Sequence, residues 1–310
     1  MSFDLYFCNR LGAQIDVGQV QRHMKRLEHM TESQSNDGSL IQFEYRDPTT
    51  DVYRLFDLSK KAPTGQEETP VLPDGYVTMG LSVSINFVRP HFFALEVMPI
   101  VSGIADALGL SLYDPQAEQM YGPRTEPGGL IQSWVKSNES VTRGLSRDQG
   151  PTRKPWLGPE KSLYWWRYTR ARAGLQSSLT EDVFVPSILL MADAEHQVKL
   201  VVVWSAEVQR RLWLKRTSPL PQLFPECDFL MLAWHEHGST RLGAIVPHSA
   251  AITALAALLE DMPGPVAGLK LLRPERRSAA GGIFEALPRL DPASLRRISS
   301  DDFVDVVDGP

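Results

Sequence analysis

The chain predicts an α+β protein in two parts, with mainly antiparallel sheet. Three observations carry that reading. Val77, Met79, Leu81, Val83, Ile85 and Phe87 alternate with polar or small residues, the period of a strand with one dry face. Helical stripes occur only between groups of such strands. A cluster of Gly150, Pro151, Pro155, Gly158 and Pro159 reads as a linker. It separates an N-terminal α+β domain, 1-147, from a C-terminal α+β domain, 160-310. A length of 310 residues suits about two domains.

Phe3, Leu5 and Phe7 alternate with Asp4, Tyr6 and Cys8 in a half-buried first strand. Asp16 and Gln19 form a capping-box pattern ahead of Val17, Val20, Met24 and Leu27, which predicts a helix of about four turns ending near Met30. Thr31 to Gly38 reads as irregular. Leu40 to Tyr45 and Val52 to Leu58 form a hairpin around Asp47-Pro48-Thr49-Thr50-Asp51, where proline pre-sets φ. A proline-punctuated loop follows, then the strand at Val77. Arg89-Pro90 turns the chain, and Phe92 to Val97 is expected to return as a paired strand. Pro99 then opens a helix that Gly109 stops. The alternative keeps Pro90 to Leu108 as one helix interrupted at Pro99. Leu110 to Tyr113 is a strand closed by Asp114-Pro115, and Leu130 to Leu145 a helix. The order β-α-β-β-β-β-α-β resembles a ferredoxin-like unit with an extra hairpin inside.

In the second part, Lys161 to Leu179 carries Trp165, Trp166 and several cations. Val183 to Met191 and Val198 to Trp204 read as a hairpin of buried strands. Val208 to Leu214 is a shorter strand, and Phe229 to Trp234 and Ala244 to Val246 two more. Ser249 to Glu260 is a helix and Leu269 to Leu272 a last strand. The acidic end, with Asp301, Asp302, Asp305 and Asp308, is expected to be mobile.

Composition narrows the function classes. With 37 acidic and 32 basic residues, the formal charge is -5, which argues against non-specific nucleic-acid binding and suits a basic partner. Two cysteines, Cys8 and Cys227, make no disulfide framework and read as buried thiols of a reducing compartment. The N-terminus lacks a signal-peptide pattern and no apolar run reaches the ~20 residues of a membrane span. The expected place is therefore the cytoplasm. No P-loop, GxGxxG or GxSxG is present, and no cofactor is expected.

Three groups remain as candidates. His235-Glu236-His237 would put two imidazoles on one face of a strand. A metal would need a third ligand from Glu226, Asp228 or His248. The plainer reading is a polar strand end. Asn86, Arg89, His91, Glu96, Asp114 and Gln116 cluster around the strongest strand and could bind an anion or a partner. The plainer reading is a turn held by side-chain hydrogen bonds. Trp165, Trp166, Arg167, Tyr168 and Arg170 mix aromatics with cations, as protein interfaces and single-strand binders do. The plainer reading is a packing helix with wet arginines.

Several segments resemble those of a family of bacterial hypothetical proteins. They are Phe3-Asp4-Leu5-Tyr6-Phe7, Asp51-Val52-Tyr53 before Phe56-Asp57, Arg89-Pro90-His91-Phe92-Phe93 with Glu96, and Asp114-Pro115-Gln116. The second half adds Glu181-Asp182-Val183-Phe184-Val185-Pro186 and Pro225-Glu226-Cys227-Asp228. Arg54 departs from the pattern, where an aromatic or small residue is expected. The resemblance implies no catalytic residue. It implies an immunity or accessory protein of a bacterial toxin or defence locus. The functional expectation is a non-enzymatic, cytoplasmic protein-binding protein that neutralises a cognate toxin. A metal-dependent enzyme using the His-x-His strand and a nucleic-acid binder using the aromatic–Arg segment are the alternatives.

Overall fold

The computed structural model describes residues 1–13, 15–59, 70–148, 154–179, 183–204, 220–236 and 239–306. The chain divides into two compact units, Met1–Arg153 and Lys154–Pro310. Both mix helices with mainly antiparallel sheet. No helix among the described residues is long and apolar enough to cross a membrane. His237, Glu181, Asp182, Asp308 and the strand expected at 208–214 lie outside the described residues.

The first unit runs β1 (Ser2–Arg10), α1 (Val17–Met24), β2 (Met30–Gln34), β3 (Leu40–Arg46), β4 (Tyr53–Ser59), β5 (Tyr76–Asn86), α2 (Phe92–Leu108), β6 (Ser111–Asp114), β7 (Gln119–Tyr121) and α3 (Gly128–Asp148). Its seven strands form one sheet in the order β2-β3-β4-β5-β1-β6-β7, and every pair in it is antiparallel. The register sorts the side chains by face. Phe43, Phe56, Val83 and Leu5 form one row across four strands, and Ile41, Leu58 and Leu81 another. All seven are buried. Fully burying one such side chain is worth about 1.5–3 kcal/mol, so the alternation itself decides which face goes inward. The register slips where Tyr6 pairs Ser82 but Cys8 pairs Thr78. Gly80 sits in that bulge at φ 70, where a β-carbon would lie 3.1 Å from the Ser59 carbonyl oxygen. The strict alternation expected from Val77 onward therefore breaks at Gly80.

The first helix ends at Met24, about a turn and a half early, and the chain turns through His29 at φ 60. Residues 30–34 form an edge strand; their pairing to β3 is made by the backbone, which a polar sequence does not advertise. Phe92 to Val97 is the start of α2, not a returning strand. Phe92, Phe93, Val97, Val101 and Ile104 are all buried, a pattern that a two-fold alternation cannot produce. Pro99 lies inside that helix, as in the alternative. Gly109 ends it in the left-handed conformation, φ 65, with its N–H and that of Leu110 closing onto the last turn.

The second unit runs β8 (Trp156–Leu157), α4 (Pro159–Ser178), β9 (Ile188–Ala192), β10 (Val198–Trp204), β11 (Gln222–Phe224), β12 (Phe229–Glu236), β13 (Ser239–Pro247), α5 (His248–Ala254), β14 (Leu259–Asp261), β15 (Lys270–Leu272), α6 (Arg277–Ala286), β16 (Arg296–Arg297) and β17 (Val304–Asp305). Its main sheet has the order β13-β12-β10-β9-β16, with only β10 and β12 parallel. A smaller sheet joins β11, β15 and β14. The helix expected to Glu260 stops at Ala254, and Leu259–Asp261 is strand. The acidic end is folded as far as Val306. Phe303 is fully buried, and Val304 and Asp305 pair with Trp156 and Leu157. Burial of Phe303 and Val304 outweighs the charge of the flanking aspartates.

Candidate functional site

The candidates around the strongest strand, Asn86 to Gln116, are spread over separate local networks in the first unit. Asn138 of α3 accepts the Val88 N–H at 2.7 Å and donates to the Arg89 carbonyl at 2.9 Å. It thereby holds Val88 at φ 62, a strained conformation for a β-branched residue. Arg89 folds back on the Val88 carbonyl. His91 lies 3.7 Å from the Glu139 carboxylate. Glu96 is elsewhere: 3% exposed, it accepts hydrogen bonds from the Tyr45 and Thr50 hydroxyls at 3.1 and 2.9 Å. It ties α2 to the 47–51 turn. Arg54 is also buried, its guanidinium 4.7 Å from the centre of the Phe93 ring. Asp114 is fully buried and accepts the Gln116 and Ala117 N–H groups and the Ser133 hydroxyl. Gln116 and Asn86 are exposed. Hydrogen bonding of turns is thus the visible job of Arg89, Glu96 and Asp114, and these residues do not converge on one cleft.

The aromatic–Arg segment lies on α4, and its period divides it. Trp165 Nε1 donates to the Ile188 carbonyl at 3.0 Å, the Tyr168 hydroxyl to the Pro186 carbonyl at 2.6 Å, and Arg172 Nε to the Val185 carbonyl at 3.2 Å. These three side chains, on one helix face, stitch α4 to the segment before β9. Trp165 and Tyr168 are buried, and burial pushes the Tyr168 phenol well above its ordinary pKa. Both are core residues and offer no surface to a partner. Trp166 is half-buried with the Arg170 guanidinium 5.3 Å from its ring centre, and Arg167 is exposed.

The metal expectation meets the register of the β12–β13 hairpin. His235 pairs with Thr240 toward one end of the ladder, whereas Phe229 pairs with Pro247 at the other. Asp228 and His248 adjoin this second end. Seven residues of strand separate Asp228 from His235, about 23 Å at strand rise. The third ligand proposed from Glu226, Asp228 or His248 is therefore out of reach. Among the described residues no group of three or more His, Cys, Asp or Glu is arranged for a metal ion.

Those same residues instead line a pocket of about 400 Å³ in the second unit. The first turns of α4 supply Lys161 and Tyr164, β10 supplies Leu200, the turn before β12 supplies Cys227 and Asp228, and α5 begins with His248. Asp228 is fixed from two sides: one carboxylate oxygen is ion-paired with the Lys161 ammonium, the other accepts the Leu200 N–H at 2.8 Å. The Tyr164 hydroxyl accepts the Glu226 N–H at 2.8 Å and reaches the Ala267 carbonyl at 3.4 Å. Gly268, at φ 74, allows the Glu226 side chain to lie against it; a β-carbon there would fall 2.2 Å from a carboxylate oxygen. Burial, aided by the neighbouring Asp228, pushes the Cys227 thiol well above its ordinary pKa, which leaves it a poor nucleophile. Burial pulls His248 down, opposed by Asp228, so the imidazole is neutral at pH 7. Its Nε2 is buried without a hydrogen-bond partner. Lys161, Tyr164 and Leu200 carried no signal in the sequence. The run Glu226-Cys227-Asp228 between apolar strands was the one available hint.

A second feature is the outer face of the seven-stranded sheet. Ser33, Gln42, Asp57, Ser82, Tyr6, Tyr113 and Met120 form a row across all seven strands, and Thr31, Glu44, Leu55, Ser84 and Asp4 a row across five. Only Tyr113 among these twelve is buried, and Leu55 is 43% exposed. Asp4, Glu44 and Asp57 share this side with Arg46 and, by the strand period of β1, with the exposed Arg10, and Arg46 is engaged with Glu44, Asp51 and the Tyr53 ring.

No protein-family model, no curated protein and no solved structure matches this chain.

Proposed function

We propose that this chain is a non-enzymatic protein-binding protein that takes a basic partner on the outer face of its first sheet. The observation that carries the reading is the pair of rows on this face, one across seven strands and one across five, unburied except at Tyr113, with three carboxylates and an exposed leucine. Seven strands span about 29 Å at the usual spacing, comparable to the side of an interface that covers about 800 Å² on each partner. Interfaces of this kind centre on an apolar anchor inside a polar rim, and excess carboxylate steers a cationic partner. The sign of the face disfavours nucleic acid. In its specific form the partner is a bacterial toxin and the chain an immunity protein, as the family resemblance implies. Free Cys8 and Cys227 fit a reducing, cytoplasmic setting. The run β4-β5-β1-β6, with α1 and α2 as connections, supports reading the first unit as ferredoxin-like, extended by β2–β3 on one side and β7 on the other.

The test compares capture from native lysate by the wild-type chain and by Leu55→Arg. A protein retained stoichiometrically by the wild type and weakened about a hundredfold by the variant supports the reading. Equal retention by both chains overturns it.

A further inference from the structure

We infer that the pocket formed by α4, the turn before β12 and the start of α5 binds a guanidinium group carried on a short aliphatic stem. The inference does not rest on the sheet-face reading, since the two sites lie in different units. Four stretches of chain converge on the pocket, and about 400 Å³ is within the range of small-ligand sites. Glu160, Glu226 and Asp228 oppose the single ammonium of Lys161 around it, so a cation is favoured. The carboxylates are placed rather than loose: Leu200 N–H and Lys161 hold Asp228, and the missing side chain of Gly268 seats Glu226.

A second observation points the same way. His248 Nε2 is buried and has no hydrogen-bond partner, and such a group in a folded protein calls for one. A neutral imidazole has one acceptor nitrogen; His248 lines the pocket, and a small rotation of its ring would turn that nitrogen toward a ligand rich in N–H groups. A guanidinium supplies five donors in a planar fork, suited to carboxylates on different sides. Tyr164 and Leu200 line the pocket and supply aromatic and apolar surface for a cation and its methylene groups. The chemistry is shared by a free guanidino metabolite and by an arginine side chain of a protein partner.

Calorimetric titration of the full chain separates the outcomes. Arginine amide is expected to bind saturably, and citrulline amide, which keeps the shape without the charge, about tenfold or more weaker. Glu226→Gln is expected to weaken arginine amide about tenfold. Lys161→Met is expected to tighten it, because it frees Asp228 from a competing cation. A structural role for these residues would not produce that rise. Should Lys161→Met unfold the chain, the exposed Glu160→Gln replaces it, with weaker binding expected. The tripeptide Gly-Arg-Gly distinguishes the sources: binding as tight as the amide indicates an arginine of a protein, and its exclusion a small molecule. Equal binding of citrulline amide, no saturable heat from either amide, or unchanged affinity in Glu226→Gln overturns the inference.

Discussion

A few buried polar side chains set the local geometry on which both units depend. Asn138 is the clearest. It meets both the Val88 N–H and the Arg89 carbonyl, so Asn138→Ala leaves two backbone groups without their partner beside a strained valine. A loss of roughly 2 kcal/mol is expected, read as a lower urea midpoint with unchanged slope. His248 is the informative titrating residue. Its folded pKa is lowered from the ordinary 6.5 by burial, so the unfolded chain takes up the proton first. Its contribution to stability is whole above that value and is lost as pH falls through the folded pKa. Thermal unfolding between about pH 7 and 5 should therefore be less pH-dependent in His248→Gln than in the wild type. Equal slopes would mean that His248 is not held neutral by the fold. Neither residue was legible. Asn138 is one polar residue in a helix with many, and His248 was noticed only as a possible ligand.

At the scale of elements, periodicity told most where burial is one-sided. The central strands β1, β3, β4 and β5 were read nearly residue for residue, because their dry rows repeat every second position. It failed at Phe92 to Val97, where aromatic and branched residues suit a strand but belong to a helix buried along much of its surface. It failed again at β2, whose pairing lies in the backbone. For α4 the period of the helix separates two roles the composition had merged. Trp165→Ala should destabilise by about 3–5 kcal/mol, since it empties the core and orphans the Ile188 carbonyl. Arg167→Ala, exposed on the same helix, should stay within about 0.5 kcal/mol. Chemical denaturation of the two variants checks the contrast. Equal losses would mean that α4 does not pack through Trp165.

For the whole chain, the two compact units are Met1–Arg153 and Lys154–Pro310, and strand β8 belongs to the second. The candidate pocket was not visible, because Lys161, Leu200, Asp228 and His248 are far apart in sequence and meet only through tertiary packing. The outer sheet face was half visible: alternation implied a wet side, but only register aligns Glu44, Leu55, Ser84 and Asp4 across it. One consequence concerns the pairing of Val304–Asp305 with Trp156–Leu157. Strands β8 and β17 of the second unit run side by side in the same direction, so positions 154 and 306 are neighbours. A short bridge between positions 154 and 306 would make that unit a ring, free to be reopened at another surface loop, as circular permutation requires.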